Sequence, residues 1–227
     1  MVAAALGVVA AGCSTPSTAV GTGSTGRLPA TTRPPTTSTV VQVTGALDPD
    51  RINLVLGDLP AGWSVSRSTT TVASPGDLRS GGLLRCLGRP ASAVAVAGTS
   101  SPVFVDGRVS ARSALSFVTP SSELSLEVQD LHTPAGLACL GQAITASLTS
   151  SGPLTGSTIV SLDETPGALD AALGVRYTAS SSKGPLTVDA YLFDVGGNQL
   201  VVTFQATGEA PPLTAERSVL AKVLGRI

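Results

Sequence analysis

The segment LTVDAYLFDVGGNQLVVTFQA, residues 186–206, decides the fold. Two β-rich runs, Leu186 to Val195 and Gln199 to Ala206, flank Gly196-Gly197-Asn198, a hairpin turn by composition, so the two strands are antiparallel neighbours. In the second run Leu200, Val202 and Phe204 alternate with Gln199, Thr203 and Gln205, which predicts one packed sheet face and one that is wet or lightly covered. Upstream, Thr158 to Leu162 and Leu173 to Ser180 read as further strands bounded by Gly, Pro and Ser clusters. Val109 to Val118 alternates as well, with Val109, Ala111, Ser113, Leu115 and Phe117 on one face and Ser110, Arg112, Ala114 and Ser116 on the other.

The remaining apolar residues recur at helical spacing. Leu124, Val128 and Leu131 share a face of a segment capped by Ser121 or Ser122, and Leu137, Leu140, Ile144 and Leu148 form a stripe from Pro134 onward. A short helix from Gly82 to Gly88 carries Cys86, and Pro212 to Ile227 places Leu213, Leu220, Val223, Leu224 and Ile227 where they can dock on the sheet. Asp48 to Leu56 reads as a short helix or turn capped by Asp48; the Leu59-Pro60-Ala61-Gly62-Trp63 turn after it sets Trp63 to anchor the domain edge. The expected fold class is α+β: an antiparallel β-sheet covered by helices, a single domain with one disulfide, spanning residues 46–227. Aromatics are only 3% of the chain, so Val, Leu, Ala and Ile must build the core.

The amino-terminal part is of another kind. Val2 to Ala11 is an apolar run too short to span a bilayer and suited to the hydrophobic region of a signal peptide. Ala10-Ala11-Gly12-Cys13 resembles a bacterial lipobox, so residues 1–12 are expected to be removed and Cys13 to carry the lipid anchor, palmitate included. No Lys or Arg precedes the run, which places the expected start codon upstream of Met1. Residues 13–45 are dominated by Ser, Thr, Pro and Gly, cannot offset their ordering entropy by burial, and read as a disordered tether reaching roughly 30 Å. Its Thr31 to Thr39 portion resembles O-glycosylated stalks. The expected location is extracytoplasmic, on the outer face of the cell membrane.

Cys86 and Cys139 fit that compartment. An even pair outside the cytoplasm reads as a structural disulfide, closing a loop of about 50 residues and contributing about 4 kcal/mol. A metal or redox site needs more ligands: there is no C-x-x-C, and His132 is the only histidine. Leu59-Pro60-Ala61-Gly62-Trp63, Cys86-Leu87-Gly88, Ser101-Pro102-Val103-Phe104, a strand with Ser113 and Phe117, and Cys139-Leu140, in that order, resemble actinobacterial secreted proteins and lipoproteins with a PsbP-like α/β fold. That resemblance implies a binding or assembly module and transfers no functional residue.

Candidate chemistry is sparse, and no catalytic residue, metal ligand or cofactor is assigned. His132 beside Asp130 reads as a surface histidine. Ser180-Ser181-Ser182-Lys183 fits S-x-x-K but lies in a turn between strands without a K-T-G or S-D-N partner. Asp163-Glu164, Asp189 and Asp194 read as solvated, the last two pointing to opposite faces of their strand. Asp48 and Asp50 begin like a calcium loop that Ile52 and Asn53 break, and Arg85 with Arg89 reads as a solvated helix face. A net charge of -1, with no long run of one sign, gives no footprint for nucleic acid. The expected partners are the membrane, through lipid on Cys13, and an envelope protein, wall polymer or apolar ligand. A non-catalytic envelope binding module is the expected function; a carrier of an apolar ligand such as a lipid is the alternative, and a hydrolase-type enzyme the third.

Overall fold

In a computed structural model of the chain, the described residues are 48–67, 81–89, 95–118, 122–148, 152–162 and 172–227. The signal segment, Cys13, the tether, Ser121 and Asp163-Glu164 lie outside what is described, as does the side chain of Ser122. The hairpin that anchors the reading forms between β7 (Gly184–Val195) and β8 (Asn198–Thr207). Val195 pairs with Asn198, and Gly196 and Gly197 take φ of 58° and 82°, the left-handed pair that a two-residue type I′ turn requires. Asp194 closes the turn by accepting a hydrogen bond from the Gly197 amide at 2.8 Å.

From this hairpin the sheet grows in both directions. On one side lie β6 (Ala172–Ser181) and β5 (Thr155–Leu162); on the other lies β4 (Val109–Val118). The free edge of β4 is shared by β3 (Phe104–Asp106) along its first part and β2 (Ala95–Ser100) along its last, and β1 (Ser64–Val65) pairs with β3. The result is an eight-stranded, antiparallel sheet with helices and one disulfide.

Alternation along the central strands sends side chains to two cores. Leu186, Val188, Ala190 and Leu192 of β7 join Leu173, Val175 and Tyr177 of β6 against the apolar stripes of α3 (Ser122–Leu131) and α4 (Pro134–Leu148). Tyr191, Phe193 and Val195 point the other way, with Leu200, Val202, Phe204 and Leu115, against α5 (Leu213–Leu224) and the segment bearing Ile52, Leu54 and Leu59. The expectation of a wet face therefore fails: Gln199 is 3% and Thr203 0% exposed. Gln199 and Thr203 are buried polar groups and Gln205 is half-buried, and β7, apolar on both faces, is the better guide to a sheet covered twice. Thr203 keeps a partner by donating to the Arg112 carbonyl at 3.4 Å.

The two covering layers are tied down differently. The disulfide joins Cys86 of α2 (Gly81–Cys86) to Cys139 of α4, with the α-carbons 5.7 Å apart. Beyond α5, Arg226 bonds the Asp58 carboxylate and donates to the Asn53 carbonyl at 3.0 Å, while Lys222 donates to the Asp58 carbonyl at 2.9 Å. Ser113, fully buried on β4, donates to Asn53 and accepts from the Leu54 amide at 2.8 Å. These bonds fix the segment after α1 (Pro49–Ile52), where Asp48 accepts from the Asp50 amide at 3.1 Å.

At the turn from α3 to α4 two stretches of backbone approach closely. Thr133 caps α4 by accepting from the Gly136 amide at 3.0 Å, and a β-carbon at Gly136 would lie 2.0 Å from the Asp130 carbonyl oxygen. Backbone on both sides cannot yield without parting the helices. Gly136→Ala is expected to cost about 3 kcal/mol in urea unfolding; a loss below about 0.5 kcal/mol would show that the two helices separate freely.

Candidate functional site

Glycine and proline place the site at one end of the second core. Gly62, at φ 104°, turns the chain after Pro60 and delivers Trp63 half-buried to the start of β1. Pairing of Ser64 with Val105 sets that tryptophan beside the β3 to β4 turn, where Asp106 ends β3. Pro211 and Pro212 lead into α5 from the other side, and Pro212, at its N-cap with φ −62°, has no amide hydrogen to leave unsatisfied. Between these parts lies a cavity of about 410 Å³, open to solvent, with Trp63, Phe204, Val219 and Pro212 among its apolar walls. Asp106, Glu209 and Glu216 supply its carboxyl groups.

Beneath the cavity a chain of polar side chains crosses the sheet face. Arg176 of β6 and Asp189 of β7 are direct cross-strand neighbours joined in a fork, Nε to Oδ1 at 2.8 Å and Nη2 to Oδ2 at 2.6 Å. Tyr191 donates to Glu216 Oε2 at 2.6 Å, and its ring meets Phe204 edge-on with centroids 6.2 Å apart. The hydrogen bond with Asp189 holds the Arg176 guanidinium further toward its charged form. Burial is the main cause that raises the Tyr191 hydroxyl, reinforced by Glu216.

Glu216, 1% exposed, is the unusual member. Burial, then the charge of Asp189, push its carboxyl from 4.5 up to about 9, against the opposing bond from Tyr191. The nearness of the Asp189 carboxyl adds to the rise. No donor from elsewhere reaches Glu216 Oε1. The fold therefore favours the neutral form of Glu216. Between pH 4.5 and 9 the unfolded chain has released this proton while the folded chain keeps it, so the group's contribution to stability is full below 4.5 and declines as pH rises toward 9. The slope is at most about 1.4 kcal/mol per pH unit. Glu216→Gln is expected to flatten that decline in urea unfolding between pH 5 and 9; an unchanged slope would mean that Glu216 is already ionised in the folded protein.

Asp189 corrects the sequence reading. Expected to be solvated, it is 0% exposed, because it faces inward beside Tyr191 and is neutralised by Arg176 across the ladder. Asp194 does point to the opposite face, but it is half-buried and bonded to Ser125 at 3.0 Å and to the hairpin turn. Arg89 likewise is half-buried and forks onto Asp130 at 2.6 and 2.8 Å, whereas Arg85 is exposed.

His132 is exposed after α3, and Ser180 and Lys183 are exposed at the β6 to β7 turn. That turn is held by Ser181, which accepts from the Lys183 amide and donates to the Gly184 carbonyl. None of His132, Ser180 and Lys183 lines the Trp63 cavity. Among the described residues no group of three or more His, Cys, Asp or Glu is arranged to hold a metal ion, and no helix is long and apolar enough to cross a membrane. A second open cavity, about 550 Å³, lies between α4 and β5, where Thr145 and Tyr177 hydroxyls bond at 2.9 Å. Sequence reasoning singled out Trp63 only as an anchor of the domain edge and missed Asp106, Glu209 and Glu216. Only Glu216 left a signal, standing at helical spacing with Val219, Leu220 and Val223.

No protein-family model matches the chain, and no curated protein matches it. Among solved structures it is similar to the extracellular domain of PknH from Mycobacterium tuberculosis, at 10% identity and a TM-score of 0.35, over 72% of this chain and 80% of that one. It is also similar to a protein of unknown function, PA94 from Pseudomonas aeruginosa, at 14% identity and a TM-score of 0.24, over 49% of this chain and 67% of that one. At these scores neither carries an argument about this chain.

Proposed function

We propose that the chain is a lipid-anchored, extracytoplasmic module of the cell envelope, of the actinobacterial PsbP-like kind, that binds a ligand without catalysis. In this reading one α+β domain follows a tether that starts at Cys13, on the outer face of the membrane. The Cys86–Cys139 bond supports the compartment, since disulfides persist where the surroundings are oxidising. The observation that carries the binding function is the cavity of about 410 Å³ at whose wall the chain's only tryptophan stands half-buried. Exposed tryptophan in a concave apolar site is a common anchor for ligands and partners. A lipid carrier is less well supported, because both cavities open to solvent and polar side chains share their walls.

Site-directed photocrosslinking in the intact envelope tests this reading. A benzoylphenylalanine replacing Pro60, at the cavity, is expected to give a discrete adduct that is absent when the same residue replaces His132. Identical adducts from both positions, or none from Pro60, would overturn it.

A further inference from the structure

The charge and shape of the Trp63 cavity narrow what it takes. Asp106 and Glu209 are exposed at its rim, and among the described residues neither is held by a side-chain hydrogen bond or ion pair. Arg108 stands beside Gly208, its Nη1 3.8 Å from where a β-carbon there would be, and is the nearby basic group in the β3 to β4 turn. Glu216, buried at the inner end, presents a carboxyl whose Oε1 no donor reaches. At the rim the two exposed carboxylates outnumber Arg108, so the rim is net negative. The walls beside that charge are Trp63, Phe204, Val219 and Pro212.

We infer that the cavity binds a small organic monocation, an ammonium group on an apolar body. The carboxylates attract and accept from the ammonium, the Trp63 ring stabilises its charge from the side, and the aliphatic and proline walls cover the body. A carboxylate or phosphate ligand is repelled by the same rim, and a purely apolar one leaves the rim carboxylates without a partner. This ligand class rests on the Trp63 cavity being the binding seat.

Because Trp63 is the only tryptophan, its emission reports on the cavity directly. The full chain in detergent is titrated with cyclohexylmethylammonium, cyclohexylmethanol and cyclohexanecarboxylate, which share the apolar body and differ in charge. The ammonium is expected to shift the emission saturably, with a dissociation constant at least five-fold below that of the alcohol and with the carboxylate weakest. Asp106→Asn combined with Glu209→Gln is expected to weaken the ammonium at least five-fold while thermal unfolding stays that of the parent chain; Arg85→Gln, away from the cavity, leaves binding unchanged. Equal affinity for ammonium and alcohol, or tighter binding of the carboxylate, overturns the cation assignment and leaves the seat standing. No saturable response to any probe overturns both. If the paired substitution unfolds the chain, Asp106→Asn and Glu209→Gln are read singly, each expected to weaken the ammonium at least two-fold.

Discussion

Replacing Arg176 by leucine is expected to cost about 4 kcal/mol of folding stability, the largest loss from any polar substitution in the domain. Asp189 is wholly buried, and its two oxygens are held by the fork from Arg176, whose own side chain is 25% exposed. Without the guanidinium, an unpaired carboxylate remains beside Glu216 in a core where it cannot be hydrated, and removing one partner of a buried pair typically costs 3–5 kcal/mol. Arg176→Leu combined with Asp189→Leu removes both charges and is expected to recover at least half of the loss, since a buried pair adds little over apolar residues of similar volume. Urea unfolding of the two variants decides the matter: a loss below about 1 kcal/mol for Arg176→Leu would mean that water reaches Asp189 in the folded state.

Opening the disulfide is the second large effect. The bond spans 53 positions of sequence, and in the chain-entropy model a loop of that length contributes about 4 kcal/mol by restricting the unfolded chain. Its removal acts on the folded state as well, because α2 has no other covalent tie to α4, and Leu83 and Leu84 are buried beneath it. Cys86 is exposed whereas Cys139 is buried, so a small thiol reductant has access from one side. A variant with both Cys86→Ala and Cys139→Ala is expected to unfold at correspondingly lower urea, with loss of amide-exchange protection first in α2. Stability within about 1 kcal/mol of the parent chain would show that the reduced ensemble is already restricted.

How much of this was legible in the sequence depends on the range of the interaction that decides each residue. The hairpin at Gly196-Gly197, the strand over Val109–Val118 and the faces of the two long helices are set by local periodicity and turn chemistry, and all of them form as read. The covering of both sheet faces was not read correctly, since Gln199 and Thr203 imitate a solvated face unless the apolar character of both faces of β7 is given priority. Asp189 was misread for a longer-range reason: its partner Arg176 is a register neighbour in β6, and register is invisible until the strands are paired. Trp63 was placed correctly at the edge of the domain. The cavity it faces could not be foreseen, because Pro60, Asp106, Glu209 and Glu216 come from three separate regions of the chain and meet only through the sheet order.

Hydrogen–deuterium exchange of the full chain, compared between isolated envelope and detergent solution, tests most directly whether the Trp63 cavity is where this protein binds. Slower exchange in the envelope is predicted at residues 61–65, 104–109 and 213–219, around the cavity, with the α4 to β5 groove unchanged. Equal exchange around the cavity in both settings, or protection confined to the α4 to β5 groove, would contradict it.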